Sequence, residues 1–171
     1  MKRGFTLIEM MVALGLVMVI VGLAVPSFLR NNRVQKVTAL RDKLKMTYIQ
    51  ARDNALSGKN ECGNLAFQGW RVVKNNSQVV RVEGVCSQTN TTYPDETSTF
   101  PATPLQYTVP TGLTVTITNL TNGPTKGVLF RSGGQGIYPH LTPAQSILVT
   151  VSNGIAAENK TFTINGFGRI Q

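Results

Sequence analysis

The sequence predicts an α+β chain in which one long N-terminal helix precedes a small antiparallel β-rich domain. Three observations carry this expectation. An uncharged apolar run extends from Met10 to Leu29. Apolar residues then recur at three- and four-residue steps as far as about Leu56, the period of one helix face. After Lys59, short β-branched and aromatic runs alternate with clusters of Gly, Pro, Asn and Thr, the pattern of strands and turns. With 171 residues and 42% hydrophobic content, the chain has room for one modest domain beyond the apolar run, and no internal repeat is visible.

The chain opens Met1-Lys2-Arg3-Gly4-Phe5-Thr6-Leu7-Ile8-Glu9, placing two positive charges and a glycine ahead of an apolar run that contains one carboxylate. A charged group in the middle of a bilayer helix costs at least about 2.5–3.5 kcal/mol. Glu9 therefore needs a partner. A cleaved secretory signal fits poorly, because its charged region would be unusually short and Glu9 would interrupt its apolar core. The 20 or so residues after Glu9, at ~1.5 Å rise each, match the ~30 Å of a hydrocarbon core. Gly15 and Gly22 allow close helix–helix approach, and Pro26 removes one backbone hydrogen bond within the helix. Arg30, Arg33 and Lys36 follow the run, so positive charge flanks it on both sides and the charge rule sets no orientation.

From Ser27 to about Leu56 the pattern is amphipathic. Val37, Leu40, Leu44, Tyr48, Ala51 and Ala55 define one stripe, and Ser57-Gly58 supplies the stop. Arg41, Lys45 and Arg52 fall at the margin of that stripe, where their stems cover the core edge and their heads reach water. In the β region, Leu65–Val73 and Gln78–Val85 read as a hairpin around Lys74-Asn75-Asn76-Ser77. The polar stretch from Ser87 to Pro104 reads as a long surface loop. Further strands are expected at Leu113–Thr118, Gly127–Arg131, Ser146–Ser152, Lys160–Ile164 and Phe167–Ile170.

Cys62 and Cys86 bracket the expected hairpin, with Lys74 midway between them. That places the two side chains nearly opposite each other, so a disulfide is geometrically reasonable; the alternative is a pair of free thiols. Closing such a loop contributes about 3 kcal/mol in the chain-entropy model. Two cysteines this far apart beside a single histidine do not make a zinc set, and no metal or other cofactor is expected.

Catalysis finds little support, and the chain reads as a non-enzyme. His140, the sole histidine, follows Pro139 in an expected loop, and the adjacent acids Asp95-Glu96 lie in the polar stretch. No Ser–His–Asp or Cys–His set stands at a recognisable spacing. Ser132-Gly133-Gly134-Gln135-Gly136 lacks the Gly-Lys-Ser/Thr ending of a phosphate loop and reads as a turn between strands. The sequon Asn119-Leu120-Thr121 by itself assigns no function. The formal charge is +9, so the chain attracts polyanions or acidic neighbours, including after loss of Lys2 and Arg3.

Gly4-Phe5-Thr6-Leu7-Ile8-Glu9 and the apolar run resemble the processing site of type IV prepilins and type II secretion pseudopilins. Gly127–Gly134 and the terminal Ile164-Asn165-Gly166-Phe167-Gly168-Arg169-Ile170-Gln171 are similar to the closing segments of FimT/FimU minor pilins and of pseudopilin H. The resemblance implies the pilin fold, with residues 1–4 as leader, 5–29 as the membrane and assembly half of the helix, 30–58 as its amphipathic half, and 59–171 as a β-rich domain outside the cytoplasm. It implies cleavage between Gly4 and Phe5 by a prepilin peptidase and methylation of Phe5. It also assigns Glu9 to neutralising the N-terminal amine of a neighbouring subunit. Pro26 matches a proline where such helices loosen in a filament.

The implied partners are major and minor pilins, the inner-membrane assembly platform and, before assembly, inner-membrane lipid. The implied roles are priming of a type IV pilus near its tip, in twitching, adhesion and DNA uptake, or the corresponding place in type II secretion. Some FimT-like members bind DNA through a terminal Gly-Arg-x-Arg; here Gly168 and Arg169 match, and Gln171 stands in place of the second Arg. A DNA-binding role would draw on Arg169, Lys160, Arg131 and Lys126 as phosphate contacts.

Overall fold

A computed structural model describes residues 6–59, 62–74, 78–87, 98–118, 127–134, 136–138 and 145–171. Gly4, Phe5, Asn75–Ser77, Asp95-Glu96, Asn119-Leu120-Thr121, Lys126 and His140 lie outside them. The architecture is α+β: helix α1 (Leu7–Leu56) is followed by antiparallel strands. The chain divides into two compact units, Met1–Lys36 and Val37–Gln171.

Residues 7–36 of the first unit are helix. The helix runs through Pro26, which has no N–H to offer the Gly22 carbonyl one turn back. Apolar side chains point outward all round it: Leu7 is 79% exposed, Leu23 75% and Phe28 70%. A helix that is apolar on every side and uncovered needs lipid or protein around it.

The second unit opens with the amphipathic half of α1. Val37, Leu40, Leu44, Tyr48, Ala51 and Ala55 are all buried, as their spacing predicts, and Thr47 joins them by donating its hydroxyl to the Lys43 carbonyl at 2.8 Å. The first sheet contains β1 (Ala66–Lys74), β2 (Val79–Ser87), β3 (Ser98–Thr108), β5 (Gly127–Arg131) and β6 (Ile137–Tyr138), in the order β3-β2-β1-β5-β6. The second contains β4 (Thr114–Thr118), β7 (Ser146–Ser152) and β8 (Lys160–Asn165), in the order β4-β7-β8. In β7, Ile147, Val149 and Val151 alternate inward, the period-two signature of a sheet covered on one face.

Tyr48 ties these layers together. Its ring meets Phe130 of β5 edge-on at 6.4 Å and Phe162 of β8 edge-on at 5.5 Å, so one helical side chain touches both sheets. Trp70 of β1 lies in the same core and donates its indole N–H to the Lys59 carbonyl at 2.8 Å, fastening the segment that leaves the helix. On β1, Arg71 alternates with the core residues Trp70 and Val72. It pairs in register with Glu83 of β2, and the two form a buried ion pair through the Arg71 Nε and a terminal guanidinium nitrogen.

Cys62 and Cys86 form a disulfide, with Cα atoms 5.6 Å apart. The expected hairpin is present as β1 and β2, and the glycine-rich Ser132–Gly134 forms a tight turn between β5 and β6.

Two expectations need correction. The stretch read as a loop to Pro104 includes most of β3. Pro101 and Pro104 argued against a strand there, but β3 is an edge strand, where a missing N–H is tolerated. Pairing also jumps from Phe100 opposite Gly84 to Leu105 opposite Val82, so both prolines fall inside an irregularity. The expected strand Phe167–Ile170 is a turn whose only ladder contact is a bridge from Ile170 to Ile164. Strand β6, two residues long, was too short for any pattern to announce.

Substituting Cys62→Ser should lower stability by about 3 kcal/mol. Urea unfolding of the detergent-solubilised chain, followed through its single tryptophan, Trp70, reads this as a lower midpoint, with a steeper slope because the unfolded chain is no longer cross-linked. A second test uses pH. Burial pushes the Tyr107 phenol up to about 12 from 10.0, and burial pushes Tyr48 higher. A phenol raised on folding favours the neutral form, so its contribution is intact below pH 10 and lost as pH rises towards 12. A Tyr107→Phe variant should therefore lose less stability than the parent over that interval.

Candidate assembly site

The start of α1 is a reciprocal cap. The Thr6 backbone N–H and hydroxyl each donate to Glu9 Oε2 at 3.1 Å, and the Glu9 N–H donates to Thr6 Oγ1 at 3.3 Å. This is a capping box: threonine precedes the helix, and the acid three residues on reaches back to it. The Met10 N–H donates to the Thr6 carbonyl at 3.2 Å and closes the first turn. The first N–H groups of a helix have no partner inside it, and negative charge near them is stabilised. Glu9 therefore satisfies its own helix while keeping oxygen lone pairs for another donor. Thr6 was not singled out from sequence, although the Thr-x-x-Glu spacing was there to be read.

Among the described residues, Leu7 to Leu56 is the one helix long and apolar enough to cross a membrane, and its most apolar window has no buried residue. Gly15 and Gly22 lie on this surface with open space around each, so another helix could approach closely at both.

The basic residues distribute unevenly. Arg41 is half-buried, bonds Asp42 at 2.7 Å and donates from Nε to the Thr161 carbonyl at 3.4 Å; Lys45 and Arg52 are half-buried too. Lys160 begins β8 and is exposed. Arg169 is exposed beyond the other end of the same strand, where its carbonyl accepts from the Asn165 N–H at 3.0 Å. Five strand steps at ~3.4 Å separate the two ends of β8 by roughly 17 Å. Arg131 ends β5 and is half-buried. Arg169 and Lys160 are therefore not neighbours.

The C-terminal turn is tightly built. Asn165 Oδ1 accepts from the Phe167 N–H at 3.1 Å and the Arg169 N–H at 2.9 Å, while the Gly168 N–H donates to the Asn165 carbonyl at 2.8 Å. Thr163 and Gln171 exchange backbone hydrogen bonds at 3.1 and 2.9 Å. Gly168 has φ +74° and packs so closely that an added Cβ would stand 3.2 Å from Ile137 and 3.3 Å from Phe130.

Residues 1–25 match the family model described as the prokaryotic N-terminal methylation motif. No match to the chain was found among curated proteins or solved structures. The chain thus carries a type IV pilin-like prepilin signal on a long apolar helix, which fits anchoring in the inner membrane. A motif of this kind implies processing by a prepilin peptidase and association with other pilins.

Gly168→Ala should cost about 1–3 kcal/mol through a strained backbone and an overfilled core. Gly154→Ala, at φ +86° with nothing within 4 Å, carries the backbone strain alone. The difference between their thermal midpoints measures the packing against Phe130 and Ile137.

Proposed function

We propose that this chain is a minor subunit of a type IV pilus of the FimT/FimU kind. It is cut between Gly4 and Phe5 and methylated on Phe5. It is stored in the inner membrane with its β-rich domain in the periplasm, and moves onto the assembly platform to prime filament growth and remain near the tip. The observation that supports this best is the methylation motif on a helix whose apolar surface is wholly uncovered. Such a surface is stable in lipid before assembly and among other helices afterwards.

Chemistry on this reading is docking, with no catalytic step. Once Phe5 is the N-terminus, its amine is a cation beside lipid, and the Glu9 carboxylate of a neighbouring subunit is the natural counter-charge. Opposite charges attract more strongly in low dielectric than in water, and a lone one is penalised. Pro26 supports local loosening of the helix within the filament, since the hydrogen bond to Gly22 is missing there.

A pseudopilin of type II secretion shares the same signal and helix, and gene neighbourhood separates the two. Duplex DNA is a further partner on the transformation reading. Arg169 supports it, but Lys160 at the far end of β8 would have to contact a different stretch of the backbone.

Glu9→Val should leave cleavage intact and reduce incorporation into filaments by more than about tenfold, since an unpaired charge in lipid costs at least about 2.5 kcal/mol. Mass spectrometry of protein from the native host should show Phe5 at the N-terminus in parent and variant alike. Normal incorporation of the variant, or an intact Met1 in the parent, contradicts the proposal.

A further inference from the structure

At one end of the second unit, the last turns of α1, the turn after β5 and the C-terminal turn enclose a cleft of about 90 Å³. Its walls include Arg52 and Arg131, Phe130, Leu56, Gly136 and Phe167, and among the described residues none that lines it is acidic. Two arginines line one small space from different elements, Arg52 on the helix and Arg131 at a strand end. Beside them, Phe167 is 65% exposed and Leu56 is 48% exposed.

Phe167 is exposed on a turn whose backbone is held in place. It sits on the turn pinned by Asn165 and sealed by Gly168 against Phe130 and Ile137. A large apolar side chain exposed on an ordered turn offers area for burial by something else, and contact costs its own rotamer freedom but no further ordering of the backbone.

We propose that this cleft is a docking site for an acidic peptide segment of a neighbouring subunit, an Asp or Glu carboxylate entering between Arg52 and Arg131 with an adjacent apolar residue covering Phe167 and Leu56. The neighbour rests on the filament reading above; the cleft's preference for a carboxylate does not. Three features select this occupant. Arginine holds carboxylates through paired N–H donors, and two arginines can hold both oxygens. At roughly 10–15 Å³ per water-sized group, the cleft holds about half a dozen non-hydrogen atoms, the size of a carboxylate with its methylenes. The apolar rim matches a peptide side chain better than the polar sugar that flanks a phosphodiester. The chain's formal charge of +9 draws acidic partners towards it.

The test uses the full-length chain in detergent micelles, with the Nε–H resonances of its arginines followed by NMR. The probes are N-acetyl-Leu-Glu-amide, its Gln counterpart, inorganic phosphate and a short single-stranded oligonucleotide. The Glu peptide should shift two arginine resonances, those lost in Arg52→Gln and Arg131→Gln, at an affinity about tenfold better than the Gln peptide, the worth of one charge-assisted hydrogen-bond set. Arg52→Gln and Phe167→Ser should each weaken the Glu peptide by about tenfold. The parent chain's Glu-against-Gln comparison needs no variant, so it decides the matter even if a substitution unfolds the domain. Equal response to the two peptides, or a stronger response to phosphate or the oligonucleotide, overturns the carboxylate assignment. The N-terminal mass from the native host tests the filament reading separately, so the two can fail independently.

Discussion

The contact on which the second unit depends is the edge-on meeting of Tyr48 with Phe130 and Phe162. The two sheets share no hydrogen-bonded strand pair among the described residues, so their common partner is the helix stripe running from Val37 to Ala55. An aromatic ring can serve both sheets because it presents an edge and a face in different directions, and the edge-on arrangement suits its charge distribution. The stripe is also narrow. Leu40, Leu44 and Tyr48 supply its bulk, and the small side chains of Ala51 and Ala55 continue it towards the end of the helix.

That stripe was readable from spacing alone, because burial on one helix face imposes a period that no strand shares. The disulfide was readable because a hairpin brings residues equidistant from its turn together. Elements that violate local rules were harder to see. β3 contains two prolines and tolerates them only as an edge strand with an irregularity opposite Val82 and Gly84, which is a fact of sheet order and not of sequence. The C-terminal turn reads as a strand until Asn165 is seen to gather the N–H groups of Phe167 and Arg169. Arg52, Arg131 and Phe167 lie far apart along the chain, so no local pattern could have joined them.

One continuous helix serves two environments. Its apolar half meets the requirement of a membrane or of a bundle of like helices, and its amphipathic half meets the requirement of a water-soluble core. The backbone is the same in both, so the change in side-chain pattern after about Lys36 decides which medium each half needs. The cap at Thr6 and Glu9 extends this logic to the helix start. The Thr6 and Glu9 N–H groups are satisfied within the chain, while the acid retains capacity for a cation.

The prolines of β3 have a consequence for packing at high density. An edge strand normally offers a ladder of donors and acceptors that a copy of itself can extend, and flat exposed edges are where native proteins begin to fuse into cross-β aggregates. Pro101 and Pro104 leave gaps in that ladder, and the irregular pairing beside them bends it. Neighbouring copies of the chain are therefore discouraged from zipping sheet to sheet through this edge.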